Sequence, residues 1–135
     1  MNRNLQKIFI VDDDYSFRKA VSKILSTNGY HPVEVPSSIP MIKSIIKEKP
    51  DLILLDLYMP NAGGVEIIRT MKRMKINIPV VIISGVLNDF DFRILREKGV
   101  NHFLAKPVDL RTLLAKVKEV LDLGVAQKNE SQYII

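Results

Sequence analysis

The sequence predicts one α/β domain built on a parallel five-stranded sheet with helices packed on both faces. Three observations predict it. Five short apolar runs alternate with five amphipathic segments, an order that right-handed crossovers turn into a parallel sheet. The third and fourth runs, Leu52–Leu55 and Pro79–Ile83, have no polar alternation, as expected of strands buried on both faces. At 135 residues with 47% hydrophobic content, the chain is long and apolar enough for a single unstapled core.

The elements follow in order. Lys7–Val11 is apolar and β-branched, a first strand that stops at three carboxylates, Asp12, Asp13 and Asp14. A helix is expected from about Asp14 to Asn28, with Phe17, Ala20, Val21, Ile24 and Leu25 as its buried stripe and Gly29 as its stop. His31–Val35 is a weaker strand, and Pro32, lacking an amide donor, places it at an edge or makes it short. Ser37 or Ser38 is the expected cap of the second helix, and Pro40 fits only its first turn. That helix presents Ile39, Ile42, Ile45 and Ile46 and closes at Lys47–Pro50.

The third strand ends at Asp56, and a turn-forming stretch, Met59-Pro60-Asn61 and Ala62-Gly63-Gly64, follows it. Gly64–Met74 reads as a helix with Val65, Ile68 and Met71 inward and Arg69, Lys72, Arg73 and Lys75 on the solvated side. The fourth strand ends in Ser84-Gly85, and Asn88 or Asp89 caps a helix that stops at Gly99. Phe90 and Phe92 lie at i and i+2, so both cannot face the core. Asn101–Leu104 is the fifth strand, followed by Lys106-Pro107. Asp109 caps the last helix, whose core face is Leu110, Leu113, Leu114, Val117, Val120 and Leu121. The domain is expected over residues 6–122, with 123–135 as a tail or the start of a linker.

Composition removes several classes of chemistry. There is no Cys, hence no disulfide frame, thiolate metal site or Cys nucleophile. Nothing in the sequence resembles a signal peptide or a membrane-spanning run, so a cytoplasmic protein is expected. The net charge of +5 raises the prior for acidic partners, but the basic residues are scattered and show no recognition-helix or zinc pattern. No nucleic-acid or membrane contact is expected of this domain. No glycine-rich phosphate loop follows the first strand, which disfavours a nucleotide-binding domain.

All strands of a parallel sheet end on one side, where ligands of such sheets bind. Asp12, Asp13, Asp56, Ser84 and Lys106 therefore converge. Clustered carboxylates repel one another and are costly to bury unpaired. Oxygen ligands without His or Cys favour Mg²⁺, which takes one or two carboxylates and a phosphate oxygen. A carboxylate can also act as a nucleophile toward phosphorus, with Lys106 and Ser84 suited to a phosphoryl oxygen.

Asp12-Asp13, Asp56 within Leu-Leu-Asp-Leu-Tyr-Met-Pro, Ser84-Gly85 and Lys106-Pro107, in this order at successive strand ends, resemble the receiver domain of bacterial two-component response regulators of the chemotaxis-regulator kind. The resemblance covers residues 6–122 or nearly so. It implies a flavodoxin-like fold with strand order 2-1-3-4-5, and Mg²⁺-dependent phosphorylation of Asp56 by a histidine kinase or histidine phosphotransfer protein. It implies Mg²⁺ ligation by Asp13, by Asp12 through water, by Asp56 and by the backbone carbonyl of Tyr58. Ser84 and Lys106 would contact the phosphoryl group, and Ser84 and Phe103 would form the switch. The output surface would be the face of the fourth helix, fifth strand and fifth helix, through which homodimers also form. The implied activity is self-directed phosphotransfer and autophosphatase action, that of a signalling module rather than an enzyme.

The sequence departs from the family's pattern where Gly63 replaces the usual acid before Gly64, and Tyr58 and Val86 fill the two variable positions beside the site. Both are expected to shield the phosphoryl linkage from water. An aspartate-nucleophile phosphohydrolase of another α/β family would need a second acid two residues beyond the nucleophile, where Tyr58 stands. A receiver reduced to a binding scaffold would not need the complete set of Asp12, Asp13, Asp56 and Lys106.

Overall fold

The computed structural model describes residues 4–36, 41–59, 62–86 and 88–133; of Ala62 and residues 125–133 it describes the backbone alone. The five expected strands are β1 (Lys7–Val11), β2 (His31–Val35), β3 (Leu52–Leu55), β4 (Val80–Ser84) and β5 (His102–Ala105). The helices are α1 (Tyr15–Thr27), α2 (Met41–Glu48), α3 (Gly64–Arg73), α4 (Asp89–Glu97) and α5 (Leu110–Tyr133). All strand pairs in the sheet are parallel, and the order is β2-β1-β3-β4-β5. The strand with Pro32 is indeed at an edge, where a missing donor disturbs only one ladder.

Alternate residues of the strands feed two separate cores. Ile8, Ile10, Leu52, Leu54, Val81 and Ile83 pack with α1 and α5 through Val21, Leu25, Leu113 and Val117. Phe9, Val11, Ile53, Leu55 and Ile82 pack on the other face with α2, α3 and α4 through Met41, Ile45, Ile68, Met71 and Leu95. This two-sided burial is why β3 and β4 carry no polar alternation. Among the described residues, no helix is long and apolar enough to cross a membrane.

Several local expectations change. Of the α1 stripe, Val21 and Leu25 are buried and Phe17 and Ile24 pack against the core, but Ala20 is exposed and Arg18 is buried. In α2, Ile45 is buried and Ile42 packs against the core as expected, while Ile46 is 51% exposed and Met41 is buried in addition. Ser37, Ser38, Ile39, Pro40, Pro60 and Asn61 lie outside the described residues. Phe92 faces inward and Phe90 outward, 68% exposed. The last helix continues through the stretch expected to be a tail, to Tyr133; among the residues whose side chains are described, the core face of α5 ends at Leu121.

Candidate functional site

The register of the sheet places the site. Val11 pairs with Leu55, Leu55 with Ile82, and Ser84 with Ala105. The ladders then run one residue past the strands. The Asp56 amide donates to the Val11 carbonyl at 2.9 Å, and the Lys106 amide to the Ser84 carbonyl at 2.9 Å. Asp56 is thus fixed beside the end of β1, and Lys106 beside the end of β4. Asp12, one residue past β1, donates its amide to Val35 at 3.2 Å.

Carboxylate oxygens of Asp12, Asp13 and Asp56 lie within 4.8 Å of one another. Asp12 and Asp56 are buried, 2% and 7% exposed, while Asp13 is exposed. Lys106 reaches over them from β5. Its Nζ lies 2.7 Å from Asp12 Oδ2, 3.6 Å from Asp56 Oδ2, and 4.7 Å from the centroid of the Phe17 ring. The Lys106-Pro107 peptide is cis.

Burial pushes the Asp56 carboxyl above its ordinary value. Lys106 and the Tyr58 amide oppose that, and the charges of Asp12 and Asp13 add to it. For Lys106 burial acts downward, but the hydrogen bond and charge of Asp12, with the charge of Asp56, outweigh it and leave the ammonium raised. The site therefore has more negative charge than one lysine offsets. Its donor set is all oxygen and it opens to solvent at Asp13, which fits a hard divalent cation such as Mg²⁺.

The remaining expected residues fall into place around this cluster. Tyr58 donates its amide to Asp56 Oδ1 at 3.3 Å, and Tyr58-Met59 pairs antiparallel with Ala62-Gly63 to close the loop. The Tyr58 hydroxyl bonds the carboxylate of Asp91 in the first turn of α4. Val86 is 64% exposed beside the site. Ser84 is 1% exposed, and its hydroxyl donates to the Val86 carbonyl at 3.0 Å and accepts from the Val86 amide at 3.3 Å. It bonds neither Asp56 nor Lys106 among the described residues. Phe103 is half-buried, its ring 4.6 Å from that of Phe92. Asp14 caps α1, accepting from the Phe17 amide at 3.2 Å.

Three contacts were not legible in the sequence: Phe17 beneath Lys106, Asp91 on Tyr58, and Arg18 on the Asp12 carbonyl. Only Arg18 left a trace, as a charged residue at i, i+3, i+7 with Val21 and Leu25.

The family model described as the response regulator receiver domain matches residues 8–118. The chain belongs to the response regulator receiver family. Receiver domains are signalling domains of two-component phosphorelays, and the expected fold and strand order are those of the family. The chain is 32% identical over 118 residues to sporulation initiation phosphotransferase F of Bacillus subtilis, covering 87% of this chain and 95% of that one. It spans about half the length of several other curated relatives, among them transcriptional regulatory proteins. A CheY-like receiver domain from Methanospirillum hungatei superposes with a TM-score of 0.86 at 26% identity, over 92% of this chain and 99% of that one. The beryllofluoride-activated NtrC4 receiver domain, described as a dimer, gives 0.78 at 28% identity, over 86% and 96%.

Proposed function

We propose that this receiver domain accepts a phosphoryl group on Asp56 in a Mg²⁺-dependent reaction. The donor is a histidine kinase or a histidine phosphotransfer protein in the cytoplasm. The face made by α4, β5 and α5 then controls a partner or output domain, or pairs with a second copy. The observation that carries the reading is the convergence of Asp12, Asp13 and Asp56 within 4.8 Å under a single lysine. In sequence, fold and charge this is an acid cluster in need of a cation.

An Asp56 oxygen attacks phosphorus in line, and the phosphorus–nitrogen bond to the donor imidazole breaks, its electron pair returning to the ring nitrogen. Lys106 offers its ammonium to the transferred group's oxygens. Asp13, Asp56 and the Tyr58 carbonyl would hold Mg²⁺, with Asp12 acting through water; the ion would supply positive charge that offsets the developing phosphoryl charge. Ser84 leaves its bonds to Val86 to donate to a phosphoryl oxygen, and Phe103 follows into the space vacated. Hydrolysis at the same site returns Asp56 to its free form, so the chemistry remains self-directed.

The test is incubation with acetyl phosphate and Mg²⁺, followed by intact mass. A phosphate adduct is expected in the parent and absent in Asp56→Asn or in chelator. No adduct in the parent defeats the reading.

A further inference from the structure

Arg18 is a charged residue on the inner face of α1, only 8% exposed. Burying a guanidinium costs free energy unless its donors are satisfied. Its visible ion pair does this poorly: Nε lies 3.4 Å from Glu34 Oε1 and has no hydrogen-bond partner. Glu34 also serves Lys19, at 3.0 Å. The good bond is elsewhere. A terminal guanidinium nitrogen donates to the backbone carbonyl of Asp12 at 2.8 Å, in a buried environment. The ring of Tyr15, 5.7 Å from the guanidinium carbon, packs against the same group.

That carbonyl belongs to the peptide plane joining Asp12 to Asp13. Six atoms of a peptide move together. Pinning the Asp12 oxygen therefore fixes the direction in which the Asp13 Cα, and its carboxylate, leave the end of β1. The Asp12 amide is already held by Val35, so the segment is clamped on both sides of the Asp12 Cα. We infer that Arg18 is a positioning residue of the cation site, setting divalent-cation affinity by orienting the Asp12-Asp13 peptide while touching none of the three clustered carboxylates. This rests on the proposed function for the identity of the cation.

The inference has a sign that a purely electrostatic role does not share. A positive charge beside a cation site repels the cation, so by charge alone removing Arg18 tightens binding. Positioning predicts the reverse. Mg²⁺ is titrated into ¹⁵N-labelled parent, Arg18→Met, Arg18→Lys and Glu34→Gln, following the Asp13, Asp56 and Tyr58 amides well below each unfolding transition. Arg18→Met is expected to weaken Mg²⁺ about tenfold, the scale for loss of a group that orients a metal ligand. Arg18→Lys keeps the charge but loses the planar fork, and is expected to weaken Mg²⁺ less; it stands in if Arg18→Met does not fold. Glu34→Gln lowers stability and leaves affinity unchanged. Parent-like or tighter binding in the Arg18 variants overturns this inference alone. A parent whose three amides do not respond to Mg²⁺ overturns the proposed function and this inference with it.

Discussion

Replacing Asp56 with Asn is expected to stabilise the metal-free protein at pH 7. The carboxylate oxygens of Asp12, Asp13 and Asp56 lie within 4.8 Å of one another. At an effective dielectric constant of about 20, each like-charge pair at that spacing costs about 3.5 kcal/mol. Asp56 takes part in two such pairs, and the exposure of Asp13 to water and salt reduces its share to roughly half. The Lys106 ammonium at 3.6 Å returns about 4.6 kcal/mol on the same scale. The residue is unfavourable, and desolvating a carboxylate that is 7% exposed adds to it. The gain from Asp56→Asn is therefore about 1–2 kcal/mol, to be read from urea unfolding in chelator. Its pH dependence has a definite sign. Burial, the largest influence, holds the folded-state carboxyl above its ordinary 3.8. Such a group costs nothing below the unfolded value, and the cost grows as pH rises through the folded one. The gain is thus greatest above the folded-state value and vanishes as pH falls toward 3.8. Mg²⁺ should narrow or reverse it if, as proposed, Asp56 is one of the groups that hold the ion. A variant less stable than the parent in chelator at pH 7, or a gain that persists in acid, would refute the reasoning.

Three further outcomes are expected. Tyr58→Asn and Val86→Glu should each shorten the lifetime of phosphorylated protein several-fold if, as the family pattern implies, both side chains flank the linkage and limit the access of water to it; an unchanged or longer lifetime in either variant, followed by intact mass over time, would contradict this. Gly64→Ala should cost about 1–3 kcal/mol in urea unfolding. Its new Cβ would sit 2.9 Å from Leu57 Cδ1 and 3.0 Å from Leu57 Cα, and the backbone atom cannot yield; a parent-like midpoint would show that the loop relaxes freely. Tyr58→Phe removes the bond to Asp91 and should speed amide hydrogen exchange in the first turn of α4, with α1 exchange unchanged as the internal control.

The fold was largely legible because the strands are buried on both faces. Leu52–Leu55 and Val80–Ser84 are apolar without alternation, and their lengths and turn signals leave little choice of element. The site residues were legible for a topological reason: residues that follow parallel strands meet at one edge. The margins of the helix faces were less legible. Phe17, Val21, Ile24 and Leu25 of α1 and Ile42 and Ile45 of α2 do pack on the core, but Ala20 and Ile46 at the margins of those stripes are exposed, and Arg18 and Met41 are buried beside them. Arg18 illustrates why. Its partner is a backbone carbonyl, which has no residue-specific signature in sequence. The Tyr58–Asp91 bond spans the α3 and β4 segments and was invisible to any local pattern.

The hydrogen bonds also divide labour among the three acids. Asp12 has a donor on each oxygen: the Asp14 amide donates to Oδ1 at 2.9 Å and Lys106 to Oδ2 at 2.7 Å. Each oxygen keeps one lone-pair site, and Lys106 neutralises part of the charge that a cation would otherwise meet. Asp56 is held more loosely, at 3.3 Å by the Tyr58 amide and 3.6 Å by Lys106. Its oxygens remain available to a phosphorus atom, and the burial that raises its carboxyl also strips it of competing water. Asp13 accepts no hydrogen bond among the described residues and faces solvent, as suits the acid that first meets an arriving hydrated cation. Among the described residues no hydrogen bond holds its side chain, so there its direction depends on the peptide behind it. That peptide's carbonyl is held by Arg18. The least constrained carboxylate of the site is therefore the one whose placement is controlled from outside it.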